Sequence, residues 1–427
     1  MEKSTVLDKN GIKVVNVLLC IIYLAPLLLL INPTLTKVSS MIIITLSLLI
    51  WNNERFYYIL PIFIFFNYDL LLPGDILTYR VYSLLLFTKI LFSNRMKIEK
   101  AIFLPFSIIV LYCISVMAYY DLLLSALVIF DLFLIILYIS IFLRKNIPAF
   151  FTYYTFGAVI SCVYGWFMQG LNIKTFININ NQWVEVTRFI GSFPDPNYFG
   201  FFLNIGIFSV VILGLIKNKI IKISVLIFLY LSLISTLSIT GYLCNILMLS
   251  LYLILSKKMK VRYIVTVITL GFIFFVNINF FENAEFSVIS DMAKRINSQL
   301  SIGSSNNLSS FTTGRSSIWR EHLEYFSQQP ILNILFGGNF VTDFGRESKF
   351  NYVSHQAYID MLLNFGIVGF SFLIIFLIFI TLKYLRIYFE TNNNDYLLLV
   401  VIKFIWVFYA FGLSMFPSWT FNLFFFI

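Results

Sequence analysis

The sequence predicts an all-α protein built as a polytopic bundle of transmembrane helices. Of its 427 residues, 60% are apolar and only 12% are charged, and the mean hydropathy is +0.89. Soluble domains carry roughly 25% charged residues, which excludes a soluble fold. The apolar residues form continuous blocks of roughly 20 residues, the length that a helix needs to cross a hydrocarbon core of about 30 Å. Membrane barrel strands have about 10 residues of alternating polarity, so helices are favoured.

The apolar blocks define about thirteen spans, within a range of roughly twelve to fourteen. The predicted spans cover residues 14–31, 36–51, 56–72, 76–92, 101–119, 122–143, 149–170, 197–216, 220–239, 241–256, 261–281, 357–382 and 396–416. The apolar tail at 418–427 is too short to cross. We therefore divide the chain into a bundle of about eleven spans at 1–281, an outer loop with short helices at 282–356, and C-terminal spans at 357–427.

Charge gives the bundle an orientation. With the N-terminus in the cytoplasm, most of the 30 Lys and Arg residues fall in cytoplasmic segments, as the positive-inside rule requires. The net charge of +10 therefore needs no nucleic acid to explain it. The first apolar block has no small-residue cleavage site behind it, so it is interpreted as a span and not as a signal peptide. This topology places the polar segments 171–196 and 282–356 on the outer side of the membrane.

The first candidate site is the turn from Arg188 to Gly200, at the outer end of the eighth span. Its prolines and glycines favour a fixed turn, with Asn197 and Tyr198 opening the span. The functional interpretation is an anion or sugar site, in which Arg188 faces a phosphate and Asp195, Asn197 and Tyr198 shape the sugar side. The alternative is a structural entry turn whose arginine reaches the membrane surface.

The second candidate runs from Thr312 to Trp319, in a helix predicted at 314–328 with Thr313 as N-cap and Pro330 as stop. A guanidinium in the first turn of a helix favours phosphate binding. The alternative is a surface arginine on an amphipathic helix. One face of this helix carries Arg315, Trp319, His322 and Phe326.

The third candidate is Ser354-His355-Gln356-Ala357-Tyr358, just before the twelfth span. The chain has only two histidines, and both lie in the outer loop. A neutral imidazole is a natural general base at pH 7, so His355 is the predicted base; its alternative role is to cap a helix. We expect His322 to pack beside Trp319.

Charged residues inside spans need partners, because burying a charge in a membrane is costly. Arg80 lies near the outer end of span four and is expected to join the outer site. Asp69 and Asp121 lie near outer span ends, where water reaches them. Asp131 is mid-span, and Lys403 is the candidate partner for it.

The sequence lacks the motifs of metal- or nucleotide-dependent transferases. It has no Asp-x-Asp, no Walker-type phosphate loop and no metal-spaced His or Cys cluster. Its four cysteines lie inside apolar blocks, so no disulfide is assigned. We expect a phosphorylated substrate to be bound by arginines, without a metal or cofactor.

Taken in order, the three motifs resemble the O-antigen polymerase and O-antigen ligase superfamily, the Wzy and WaaL proteins. The matching features are Arg188-x-x-Gly191 with Pro196-Asn197-Tyr198, Thr313-Gly314-Arg315 with Trp319, and Ser354-His355 with Asn364-Phe365-Gly366. The resemblance covers about residues 185–380. One departure is Ser238-Ile-Thr240 after the ninth span, where related proteins often carry a Ser/Arg pair; this chain has no arginine at that place.

The resemblance implies a metal-independent, inverting glycosyltransferase of the GT-C type in the bacterial cytoplasmic membrane, multi-pass, with its active site facing outward. Its substrate would be an undecaprenyl-diphosphate-linked oligosaccharide, polymerised into O-antigen or capsular polysaccharide, with a flippase and a chain-length regulator as partners. His355 and Arg315 would be catalytic. The residues expected to hold the diphosphate are Arg188, Arg315 and Arg80. Those expected to bind or shape the sugar side are Asp195, Asn197, Tyr198, Trp319, Ser354 and Tyr358.

Two other functions stay open. An O-antigen ligase shares the chemistry and differs only in the acceptor. A flippase or other transporter of lipid-linked oligosaccharide belongs to another class, and would keep its charges in a central cavity between two related halves.

Overall fold

The computed structural model describes residues 9–66, 70–72, 76–92, 122–168, 173–179, 182–256, 315–337, 354, 356–413 and 419–427. The α-helices in this part of the chain are α1 (Lys9–Leu24), α2 (Thr36–Leu49), α3 (Leu60–Phe65), α4 (Thr78–Phe92), α5 (Leu122–Ile141), α6 (Ile147–Phe167), α7 (Pro196–Leu213), α8 (Lys219–Ser235), α9 (Ile239–Leu255), α10 (Arg315–Ser327), α11 (Ile331–Phe336), α12 (Ala357–Thr391), α13 (Asn394–Ala410) and α14 (Trp419–Phe426). Short 3₁₀ turns lie at Ala25–Leu30, Pro33–Leu35, Glu54–Ile59 and Leu143–Lys145.

Most of these helices fall where the hydropathy pattern predicts a span. The predicted spans at 101–119 and 261–281 lie outside the described residues. The predicted third span, 56–72, is only partly helical, because its helix ends at Phe65 and a short hairpin follows. The strands of that hairpin are β1 (Leu71–Leu72) and β2 (Ile76–Leu77), which pair antiparallel.

Four apolar helical stretches in the described ranges have the length needed to cross a membrane. They are Lys13–Leu30, Ile147–Phe167, Pro196–Leu213 and Ala357–Thr391. Two shorter apolar helices are Thr36–Leu49 and Ile239–Leu255. Length and composition therefore describe an integral membrane protein.

A second hairpin precedes α7 and modifies the all-α expectation. Strand β3 (Ile173–Ile179) pairs antiparallel with β4 (Gln182–Arg188), and Ile173 lies opposite Arg188. Both strands are rich in β-branched residues, which favour extended backbone. The hydropathy pattern does not mark short segments of mixed polarity, so the sequence predicts only a polar segment here.

Helix α13 forms the centre of the bundle, packing against α7, α9 and α12. Lys403 on α13 is fully buried, and its ammonium donates hydrogen bonds to the carbonyl oxygens of Phe424 (3.0 Å) and Phe425 at the end of α14. The expected pairing of Lys403 with Asp131 is therefore wrong. The ammonium instead satisfies carbonyls that the end of a helix leaves without intrahelical partners. The tail that was too short to span is thus a buried helix fixed to α13.

A kink divides α12 into a short first part, residues 357–365, and a long apolar part. Gly366 has φ +64°, a conformation that other residues rarely adopt. A Cβ at this position would lie 2.4 Å from the backbone nitrogen of Gly337 and 2.5 Å from the carbonyl oxygen of Leu335. Glycine therefore lets the end of α11 contact α12 backbone to backbone. The predicted span at 357–382 includes this kinked first part, which carries the third sequence motif.

Candidate functional site

Arg188 is the last residue of β4 and is 6% exposed. Its Nε donates to the carbonyl oxygen of Thr236 at 3.0 Å, and its Nη2 donates to Oδ1 of Asn197 at 3.2 Å. The hydroxyl of Ser238 donates to the same Oδ1 at 2.8 Å. Arg188 thus ties the hairpin to the start of α7 and to the α8–α9 turn. This oxygen of Asn197 already accepts two hydrogen bonds from the protein. For Asn197, a role in shaping the site is therefore favoured over direct binding of a sugar.

The turn between Arg188 and α7 is built from residues that specify it locally. Gly191 has φ +60°, and a Cβ there would lie 2.5 Å from the ring of Phe199. Asp195 caps α7, accepting hydrogen bonds from the backbone nitrogens of Asn197 (2.6 Å) and Tyr198 (3.2 Å). Pro196 at the first helical position has the backbone angle that a helix needs. The predicted fixed turn is therefore present, and the span opens as expected.

Arg315 is the first residue of α10, and its Nη1 donates to the carbonyl oxygen of Gly412 at 3.0 Å. Asp195 and Tyr198, at the start of α7, both interact with it electrostatically. Burial lowers the pKa of the Arg315 guanidinium, while the charge of Asp195 acts in the opposite direction. A Cβ on Gly412 would lie 3.6 Å from Nη1 of Arg315 and 3.7 Å from Oγ1 of Thr240. The second motif therefore lies within electrostatic range of the first.

These contacts bring three helix N-termini together at one end of the bundle. Ser238 caps α9 by accepting a hydrogen bond from the backbone nitrogen of Gly241 at 3.1 Å, and it donates to Asn197 at the start of α7. Thr240, in the first turn of α9, lies beside Gly412, whose carbonyl oxygen accepts from Arg315 of α10. Helix N-termini carry partial positive charge and favour anions. Two guanidinium groups add to that potential, and the Asp195 carboxylate opposes it. The arrangement favours binding of an anionic group with more than one negative charge.

The third motif is partly described. His355 lies outside the described residues, as do Thr312, Thr313 and Gly314 of the second motif. The carbonyl oxygen of Ser354 accepts a hydrogen bond from Nε1 of Trp319 at 2.9 Å. The hydroxyl of Tyr358 donates to the carbonyl oxygen of Val407 at 2.9 Å, joining the first part of α12 to α13. The structure thus brings the third motif into contact with α10, which carries Arg315.

The face of α10 that turns toward α12 is the one that the sequence predicts. His322 and Phe326 are buried, and Phe326 packs with Ile359 and Leu363 of α12, together with Trp319. The ring nitrogen Nδ1 of His322 lies 2.8 Å from the carbonyl oxygen of Ile318. This agrees with a packing role for His322.

The comparisons with known proteins agree with the order of these motifs. Residues 223–374 match the family model Wzy_C, described as O-antigen ligase. This segment, which is less than half of the chain, is similar to the Wzy_C family. The match confirms the predicted resemblance to Wzy and WaaL proteins over this part of the chain, and it supports a membrane enzyme of O-antigen processing that transfers glycosyl groups. No curated protein matches the chain.

The segment that matches Wzy_C begins in α8 and ends in α12, so it contains Arg315 and His355. Arg188 and the capped start of α7 precede it in sequence. Arg188 nevertheless hydrogen-bonds to Thr236 inside the matched segment. The candidate site therefore combines residues of the matched segment with residues that the family match does not reach.

Arg80 has a different set of neighbours from the other two arginines. Its Nε donates to the hydroxyl of Tyr79 at 3.3 Å, and it interacts electrostatically with Asp131, which also accepts a hydrogen bond from Tyr79. Arg80 is therefore the charged neighbour of Asp131 that the sequence left unidentified. In the described ranges, the contacts of Arg80 are separate from those of Arg188 and Arg315.

Sequence reasoning did not single out Thr236 or Gly412, and it named Ser238 only as a departure from the family pattern. Ser238 carries a usable signal, since a serine directly before an apolar helix is a typical N-cap. Thr236 and Gly412 act through backbone carbonyl oxygens, which no residue type encodes. In the described ranges, no group of three His, Cys, Asp or Glu side chains could hold a metal ion.

Proposed function

We propose that this protein polymerises undecaprenyl-diphosphate-linked oligosaccharide repeat units into O-antigen or capsular polysaccharide. The observation that carries the proposal is the electrostatic interaction of Arg315 with Asp195 of the Arg188 turn, near the N-termini of α7, α9 and α10. A diphosphate is the ligand class that suits this concentration of positive charge. The match of residues 223–374 to Wzy_C supports glycosyl transfer as the reaction type.

The proposed chemistry is a direct displacement at the anomeric carbon of the donor sugar. His355 removes the proton from a hydroxyl of the acceptor repeat unit, and that oxygen forms the new bond to C1. The bond between C1 and the diphosphate oxygen breaks, and undecaprenyl diphosphate leaves with the electron pair. Arg315 stabilises the negative charge that develops on this leaving group, with Arg188 holding the surrounding turn in place. A single displacement inverts the configuration at C1.

We further propose that the site faces outward from the bacterial cytoplasmic membrane. The proposal is supported by the bias of Lys and Arg toward the opposite set of loops. A lipid carrier keeps its tail among apolar helices and its diphosphate at the interface, where the helix ends converge. A flippase would then deliver the substrate, and a chain-length regulator would act on the product.

The test is a reconstitution with purified protein in liposomes that contain only lipid-linked repeat units. We expect products of several repeat units on one lipid, resolved as a ladder by electrophoresis. Arg315→Ala and His355→Ala should abolish the ladder. Arg320→Ala is the matched control, because Arg320 lies on the same helix in an exposed pair with Glu324 and should leave the ladder unchanged. A normal ladder from either site variant contradicts the assignment of that residue.

The second candidate is an O-antigen ligase, which is favoured by the description of the matching family. The same reconstitution separates the two functions when a lipid A–core acceptor is added. Transfer to that acceptor, with no chain growth in its absence, would establish the ligase. Movement of labelled lipid across the bilayer without any new glycosidic bond would instead establish the transporter.

A further inference from the structure

Helix α11 exposes apolar side chains although it lies outside every predicted span. Its sequence, Ile331-Leu-Asn-Ile-Leu-Phe336, carries no charged residue. Ile331 and Leu332 are 66% and 65% exposed, and Phe336 is 49% exposed. These three side chains share one side of the helix, while Ile334 on the other side packs toward Phe326 of α10. An exposed apolar face of this kind marks a surface that another apolar phase covers.

The contact between α11 and α12 places this face at one end of a lipid-facing surface. The end of α11 lies against the kink of α12, where a Cβ on Gly366 would lie 2.4 Å from the backbone nitrogen of Gly337. Directly after the kink, exposed apolar side chains recur along α12 at helical spacing: Ile367, Val368, Ile375, Phe379 and Leu382. On a helix long and apolar enough to span a membrane, these side chains face lipid. The exposed face of α11 is therefore continuous with a surface that lipid covers.

The length of α12 shows that the kink lies at a boundary of the hydrocarbon core. At the far end of the apolar part, Arg386 and Glu390 form an exposed ion pair, with Nε and Oε1 2.7 Å apart. From Gly366 to Arg386 the helix rises about 30 Å, at roughly 1.5 Å per residue. The hydrocarbon core of a typical bilayer is also about 30 Å thick. The ion pair and the kink thus mark its two boundaries, and α11 lies beside the second of them.

Helix α10 has the opposite kind of exposed surface. Arg320 and Glu324 are both exposed, with Nε and Oε1 3.7 Å apart, and the neighbouring Glu321 is exposed as well. Charged side chains are costly inside the hydrocarbon core, so this face of α10 lies in water. The short connection at 328–330 leads from this charged helix to the apolar α11. The change from water to lipid therefore falls between the two helices.

We infer that α11 is an interfacial anchor, whose exposed face of Ile331, Leu332 and Phe336 lies among the acyl chains of the lipids around the kink of α12. Apolar helix faces in such a position enter the boundary between headgroups and acyl chains by about 5–10 Å. Because α10 and α11 pack together on the first part of α12, the anchor holds α10, and with it Arg315, near the level of the lipid headgroups. This inference goes beyond the proposed reaction and does not depend on it.

Spin labels test the depth of α11 in the full-length protein, reconstituted in liposomes. Replacing Cys20 and Cys113 with serine leaves Cys162 and Cys244, which are buried and do not react with the label. A nitroxide attached through Leu332→Cys then collides with dissolved oxygen, which concentrates in hydrocarbon, or with a nickel chelate, which stays in water. The ratio of the two collision rates reports the depth of the label, and the spectrum of the background protein shows any label on the buried thiols.

We expect the oxygen-to-nickel ratio of Leu332→Cys to lie several-fold above that of Arg320→Cys, the matched control on the water-facing side of α10. It should lie below that of Ile375→Cys on the lipid-facing side of α12, and it should correspond to a depth of about 5–10 Å. Phe336→Cys should give a similar depth, which keeps the test informative if one labelled variant fails to fold.

Two other results would overturn the inference. A ratio for Leu332→Cys equal to that of Arg320→Cys would place α11 in water. Low accessibility to both oxygen and the nickel chelate, with dipolar broadening between labels on separate molecules, would show that a second copy of the chain covers this face. None of these measurements requires glycosyl transfer, so a failure of the proposed function would leave the result unchanged.

Discussion

The Arg188 turn and helix α10 meet at the same end of the bundle, and each contributes an arginine in a different state. Arg188 is deeply buried, and its guanidinium donates to the Thr236 carbonyl oxygen and to Asn197, both part of the protein framework. Arg315 is half-buried at the start of a helix, with a hydrogen bond to Gly412 and the Asp195 carboxylate nearby. Two arginines with the same predicted role thus divide into one that holds the site and one better placed to contact a ligand.

Replacing Arg315 should have the largest effect, and it tests whether this arginine contacts the ligand. Arg315→Ala should lower kcat/KM by about 10²–10³-fold, the usual effect of losing a group that stabilises developing charge. The melting temperature should change little, because the lost partner is a single carbonyl oxygen near the surface of the bundle. Arg315→Lys should recover part of the rate, since a point charge remains. A variant with normal rate would remove Arg315 from the proposed chemistry.

Removing Arg188 should affect stability as well as rate. Arg188→Ala leaves the Thr236 carbonyl oxygen without this donor and removes one of the two hydrogen bonds to Oδ1 of Asn197, at a cost of about 1–3 kcal/mol. We expect a lower melting temperature together with a rate loss of at least about tenfold. Arg188→Lys should not restore either property, because an ammonium lacks the planar fork that reaches both acceptors. A loss of rate with unchanged melting temperature would instead assign direct substrate contact to Arg188.

Ser238 offers a smaller test of the same framework. Ser238→Ala removes the donor to Asn197 and the N-cap of α9, which together should cost about 1–2 kcal/mol of stability. The rate should fall by only about twofold to fivefold, because Arg188 still holds Asn197. Ser238→Thr keeps the hydroxyl and serves as the control. A rate loss as large as that of Arg315→Ala would mean that the hydroxyl contacts substrate.

The sequence could predict the parts of this site that depend on local structure. Hydropathy located most of the helices, and the pattern around Pro196 and Arg315 located the starts of α7 and α10 within a residue or so. The sequence could not predict contacts between distant segments. Arg188 bonds to a carbonyl oxygen 48 residues away, and Lys403 bonds to carbonyl oxygens of α14 instead of to Asp131. Backbone carbonyl groups are present at every residue, so no sequence pattern identifies the carbonyl groups to which a buried cation will donate hydrogen bonds.

The most conservative change is Asp195→Asn. Asparagine caps a helix about as well as aspartate, so α7 and the melting temperature should be preserved. The change removes the negative charge that faces Arg315, and with it the repulsion of an anionic substrate. We therefore expect KM for the lipid-linked substrate to fall by about threefold to tenfold, an effect that added salt should weaken. An increase in KM at unchanged stability would mean that the Asp195 carboxylate itself binds the sugar, as the sequence allows. The substrate would then contact the start of α7 as well as Arg315.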